Sequence, residues 1–139
     1  MSGSKYFLSW QWVEDQINDI GDRLDGEHLE FISGIPRGGL IPAVMMSHVF
    51  NVKYISYSSA KMLPEHVRKR TLVVDDIADT GHTLIEAQEL KFITATLALR
   101  STSNHTPSIS GELIVDERWL VFPWETLDSQ AIQDYLVDE

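Results

Sequence analysis

The chain contains no cysteine. That excludes disulfides, thiol nucleophiles and thiolate zinc sites. Basic residues are also scarce, with 11 Lys and Arg against 21 Asp and Glu and a formal charge of −10 at pH 7. A surface so acidic is poorly suited to track nucleic-acid phosphates. No apolar run approaches the ~20 residues that cross a bilayer, and the opening MSGSKYFLSW lacks the basic flank and long apolar stretch of a secretory signal. The expectation is therefore a cytoplasmic protein without nucleic-acid or membrane partners. Repeats, low-complexity tracts and an interdomain linker are absent too, so residues 1–139 are read as one domain.

What is present is a 43% hydrophobic content arranged in short, well-punctuated segments. Trp10, Val13, Ile17, Ile20 and Leu24 recur at helical spacing, with Ser9 placed to cap and Gly26 to stop a first amphipathic helix. LEFIS (29–33) is short and apolar, GIPRGG (34–39) is a breaker-rich turn, and LIPAVMMSHVF (40–50) reads as a buried helix. VKYISY (52–57), TLVVD (71–75), FITATLAL (92–99), ELIVD and WLVF read as strands, TLIEAQELKF (83–92) as a helix, and residues 126–137 as a closing helix. Strands alternating with helices predict an α/β fold around a parallel sheet.

Chemistry concentrates in LVVDDIADTGHTL (72–84), where Asp75, Asp76 and Asp79 fall within five residues. In an open parallel sheet, ligands bind beyond the carboxyl ends of the strands, which is where Asp75 and Asp76 are expected. Carboxylates there accept hydrogen bonds from sugar hydroxyls or hold a hydrated divalent cation, which prefers hard oxygen ligands. The glycine turn that follows aims backbone N–H groups and threonine hydroxyls at one spot, suited to a phosphate. Sugar and phosphate recognition this close together points to a phosphorylated ribose. A plain turn with helix caps would avoid the repulsion of three acids. The metal-binding D-D-x-x-D of terpenoid synthases lies on helices of large all-helical proteins, not after a β-branched run. A response-regulator receiver opens on its acidic strand, whereas 70 residues precede Thr71 here. The few bases cluster as well: Lys61, Arg68, Lys69 and Arg70 lie within ten residues and form a local anion site or a solvated loop.

With these residues in hand, the chain resembles the type I phosphoribosyltransferases, whose fingerprint is an apolar strand, two acids and D-T-G-x-T; LVVDDIADTGHT matches every diagnostic position. GIPRGGL resembles the family's pyrophosphate loop, and KYFLSW and DERWLVFPWE resemble its purine-salvage members. The resemblance implies a parallel sheet flanked by helices with a small C-terminal hood. It also implies transfer of phosphoribosyl from phosphoribosyl pyrophosphate to a 6-oxopurine (guanine, xanthine or hypoxanthine), with magnesium as cofactor and a dimer or tetramer as assembly. Position by position, it implies that Asp75 and Asp76 hold the ribose hydroxyls, directly or through magnesium, water or substrate. Asp79 manages the proton at purine N7. Thr80, Gly81, His82 and Thr83 bind the 5′-phosphate, and Arg37 and Gly38 contact pyrophosphate in a loop expected to hold a strained peptide bond. Lys61 or Arg68, in a flexible hood over residues 58–70, assists with pyrophosphate. Trp119 stacks on the base with Leu120 beside it, and Arg100 stands where the family has a lysine that donates to the 6-oxo group. Arginine for lysine alters donor geometry and reach. Two other readings stay open: transfer to a pyrimidine or orotate, and a non-enzymatic regulator that binds phosphoribosyl pyrophosphate.

Overall fold

The computed structural model describes residues 4–24 and 27–125 of the chain. Along it run β1 (Lys5–Phe7), α1 (Trp10–Arg23), β2 (Phe31–Gly34), α2 (Leu40–Phe50) and the single-turn helices α3 (Tyr57–Ala60) and α4 (Glu65–Arg68). β3 (Thr71–Ala78), α5 (Leu84–Glu89), β4 (Ile93–Arg100), β5 (Ile109–Ile114) and β6 (Trp119–Val121) follow. Strands β2-β3-β4-β5 form one parallel sheet in that order, and β1 pairs with β6 in a separate parallel ribbon. The expected α/β class with a parallel sheet flanked by helices is what the chain adopts. Among the described residues, no helix is long and apolar enough to cross a membrane.

Central strand β3 explains the layering. Leu72, Val73 and Val74 are all fully buried, as a parallel strand covered on both faces requires. Alternation then divides them. Leu72 and Val74 join Val13, Ile17 and Ile20 of α1 and Met46 of α2, while Val73 meets Leu84 and Ala87 of α5 and Ala60 of α3 on the other face. Ser9 caps α1 as the spacing predicts, its hydroxyl accepting from the Trp12 N–H at 3.0 Å. Gly26 and residues 126–137 lie outside the described residues.

Several expectations change. VKYISY is not a strand: only a bridge links Tyr54 to Ile32, because Ser56 caps a helical turn and turns the backbone away after Ile55. β3 runs on to Ala78, three residues past the expected end, since Asp75, Ile77 and Ala78 keep pairing with β4. Helix α2 has the predicted bounds but is buried only through Pro42, Ala43 and Met46; Ile41, Val44 and Val49 are exposed. The hood is not purely C-terminal. Its ribbon is made from both ends of the described chain, Lys5 opposite Trp119 and Tyr6 opposite Leu120. Trp10, Trp12, Phe122 and Trp124 pack ring against ring beside it, Phe122 stacking on Trp124 at 5.1 Å.

Candidate functional site

Two glycines bring the loop after β2 against β3. The Ile35 N–H donates to the Val74 carbonyl and Gly39 N–H to the Ile35 carbonyl, each at 2.9 Å, which folds residues 35–39 into a tight turn leading into α2. A Cβ at position 39 would collide with the Val74 carbonyl, and one at 38 with the Asp76 carboxylate. Backbone-to-carboxylate approach this close is available only to glycine. Arg37 stands exposed on the turn, and the Pro36–Arg37 peptide bond is cis, in the loop where an unusual peptide bond was expected.

Asp75 is nearly buried, and its carboxylate is held from two sides. One oxygen accepts the Asp76 N–H at 2.9 Å and the other the Thr83 hydroxyl at 2.8 Å. Asp76 accepts the N–H of Ile77 at 2.8 Å. Burial pushes the Asp76 carboxyl well above its ordinary value; the charge of Asp75 and a hydrogen bond with it push the same way, and the charge of Glu125 adds to them. Two carboxylates forced together in a partly dry place suit a hard cation, which would cancel the repulsion. Among the described residues no three side chains of Asp, Glu or His are grouped as metal ligands. A cation at this pair would therefore complete its shell with water or substrate oxygens.

The turn from Asp79 to Thr83 is compact. Gly81 has φ +81°, and a Cβ there would strike the His105 backbone. Thr80 accepts the His82 N–H at 3.2 Å through its hydroxyl, and the Asn104 N–H donates to the Thr80 carbonyl at 3.2 Å. Asp79, Thr80 and His82 are exposed. Loop 101–106 thus forms the wall of this turn, a contribution that its polar sequence did not announce. Thr83, expected at a phosphate, directs its hydroxyl proton to Asp75 instead. It therefore ties the phosphate-type turn to the acidic pair.

The basic residues Lys61 and Arg68 of the 58–70 segment are anchored to α5 and the residue that ends it. Lys61 pairs with Glu86 at 3.4 Å and lies 4.8 Å from the centre of the Tyr57 ring. Tyr57 donates its phenol proton to Glu86 at 3.0 Å, and burial together with that bond drives its ionisation well above the ordinary range. Arg68, the alternative to Lys61 as a pyrophosphate contact, donates to the carbonyls of Leu90 and Leu63 and so braces this segment. At the other end, Trp119 is 37% exposed, not a core tryptophan, whereas Leu120 beside it is buried in the main core. Leu120 can therefore offer a ligand only its backbone. Arg100, expected to face a base, donates through Nη1 to the Asp116 and Arg118 carbonyls at 2.9 Å and through Nε to Asp79 at 3.3 Å.

A parallel sheet with a glycine-lined loop and an acidic strand end leading into D-T-G-x-T is the arrangement of the type I phosphoribosyltransferases, and comparison with known proteins finds the same likeness. No family model matches the chain. It is, however, similar to the xanthine-guanine phosphoribosyltransferase of Idiomarina loihiensis, 27% identical over 89% of each chain. It is also similar to the crystal structure of a purine phosphoribosyltransferase from Pyrococcus horikoshii, 29% identical with a TM-score of 0.70, over 92% of this chain and 99% of that one. The Helicobacter pylori xanthine-guanine-hypoxanthine phosphoribosyltransferase shares the fold, with a TM-score of 0.72 over 89% of this chain and 93% of that one at 15% identity. The chain is thus similar over most of its length to purine phosphoribosyltransferases and shares their fold.

Proposed function

We propose that the protein transfers the phosphoribosyl group of phosphoribosyl pyrophosphate to a 6-oxopurine, releasing pyrophosphate and forming the nucleoside monophosphate. The observation that carries this reading is the apposition, at the end of β3, of the Asp75–Asp76 pair and the backbone of Gly38 in the Arg37 loop. Such a place presents acceptors for ribose hydroxyls next to a loop for pyrophosphate. Asp75 and Asp76 hold the sugar, and Arg37 and Gly38 receive the leaving pyrophosphate. Thr80, Gly81 and His82 cradle the 5′-phosphate, while Thr83 keeps Asp75 oriented. Asp79 handles the proton at N7 and Trp119 stacks on the base.

Displacement at the anomeric carbon builds positive charge on the sugar and negative charge on the leaving group, so preorganised electrostatics serve better than a protein nucleophile. Asp75 and Asp76 would hold magnesium, directly or through water or substrate, and the ion would neutralise charge developing on the leaving group. The 58–70 segment excludes water that would otherwise attack the activated sugar, and Lys61 exchanges its pairing with Glu86 for the leaving group. The working unit is one domain in the cytoplasm. The apolar face that α2 exposes through Ile41, Val44 and Val49 supports a homodimer or homotetramer. Pyrophosphate release, measured with magnesium and each of guanine, xanthine, hypoxanthine, adenine and orotate, tests the reading. Release only with the three oxopurines is expected; release with orotate would assign a pyrimidine enzyme, and phosphoribosyl pyrophosphate binding without any release would assign a regulator.

A further inference from the structure

Arg100 stands at the end of β4 with its side chain 12% exposed. Its guanidinium bonds in two directions. Nε approaches the Asp79 carboxylate at 3.3 Å, and Nη1 donates at 2.9 Å to both the Asp116 and Arg118 carbonyls. Those carbonyls belong to the turn immediately before Trp119. The turn is stiffened further: Asp116 accepts from the backbone N–H and side chain of Arg118, and the Arg118 guanidinium lies 4.1 Å from the centre of the Tyr6 ring. Tyr6 belongs to β1, paired with Leu120 of β6. A continuous set of contacts therefore runs from Asp79 through Arg100 to the hood ribbon.

We infer that Arg100 is a positioning residue that holds the proton-handling Asp79 and the base-stacking Trp119 at a set separation, and that it does not read the base itself. The inference rests on the proposed transfer to a purine. Only a planar fork with several fixed donors bonds a carboxylate on one side and two carbonyls on the other; a lysine carries its donors on one nitrogen and cannot span both. Two of the three guanidinium nitrogens, Nε and Nη1, are engaged by protein acceptors. Arginine at this position thus trades contact with the substrate for a brace between the two halves of the site.

The two roles separate in Arg100→Lys and Arg100→Gln. For a brace, lysine restores nothing: both variants lose about 10- to 100-fold in kcat/KM for the purine. The loss divides between a lower kcat, through Asp79, and a higher KM for the base, through Trp119. KM for phosphoribosyl pyrophosphate and the ranking of bases stay as in the wild type. Combined with Trp119→Ala, Arg100→Lys adds little further rise in the base KM, because the stacking group it would misplace is already gone. Wild-type efficiency in Arg100→Lys, relaxed rejection of adenine in Arg100→Gln with kcat preserved, or additive effects with Trp119→Ala would overturn the inference in favour of a direct base contact. Amide exchange over residues 116–121, expected to quicken in both variants, reads the brace without turnover. A wild-type protein that releases no pyrophosphate would sink the proposed transfer, while unchanged exchange would sink the brace.

Discussion

The acidic turn and the hood are built by opposite means. Around Asp75 and Asp76 the structure is local: a carboxylate accepts from the next residue's N–H, Thr83 reaches back eight residues, and glycines let one loop touch one strand. Around Trp119 it is long-range. A three-residue strand near one end pairs with another more than a hundred residues away, and Trp12 donates to Glu112 across the same span. The acidic turn suited to sugar phosphate is thus encoded largely in one stretch of chain, with the 35–39 and 101–106 loops closing on it, whereas the half suited to the base depends on pairing between the two ends of the domain. Substitutions should therefore act sharply and separately in the first half and through packing in the second.

The largest effect is expected from Asp75→Asn combined with Asp76→Asn. Activity should fall below detection, and calorimetry should show loss of joint binding of magnesium and phosphoribosyl pyrophosphate; retained affinity would remove the pair from the sugar site. Next comes Asp79→Asn, for which a drop in turnover of ~100- to 10,000-fold is expected of a lost general acid or base, with sugar-phosphate affinity mostly kept. Thr83→Ala should do the reverse by releasing Asp75. Matching effects of the two on binding and turnover would show the turn to act as one unit. Trp119→Ala should raise the base KM by roughly 5- to 150-fold, the value of about 1–3 kcal/mol of stacking, and spare the KM for the sugar phosphate. Equal changes in both constants would erase the contrast between the halves.

The smallest effect is on stability. Asp76 has a carboxyl raised above the ordinary 3.8, so between 3.8 and its folded value the native chain holds a proton that the unfolded chain has released. Stability is lost as pH rises through that window, and the penalty persists above it. Asp76→Asn should therefore raise the melting temperature at pH 7 by a few degrees and flatten its pH dependence. Magnesium should stabilise the wild type and not the variant. A thermal scan in which Asp76→Asn melts lower at pH 7 would contradict this view of the pair as strained by charge.

The cation that braces the two halves was visible as Arg100 but its task was not. Its acceptors include two backbone carbonyls, which every residue carries and no side-chain pattern marks. The basic cluster at 61–70 was readable as a group, yet Arg68 serves the carbonyls of Leu63 and Leu90. Helix α2 was predicted to the residue because Gly39 and Asn51 punctuate it, Asn51 taking the left-handed conformation at its end. The extension of β3 through its acids escaped prediction, since propensity counts aspartate as a breaker. Here the neighbouring N–H groups bond both carboxylates, and β4 pairs with Asp75, Ile77 and Ala78.

By itself the sequence determined the α/β class, the order of most elements and the acidic turn, because periodicity, breakers and a contiguous motif are local properties that survive in one dimension. Tertiary structure decided the rest: the pairing of Lys5–Phe7 with Trp119–Val121, the exposure of Trp119 beside a buried Leu120, and the partners of Arg100. Strands of three residues carry too little period to be read, and a donor's choice among carbonyls is settled only when packing brings one backbone within its reach.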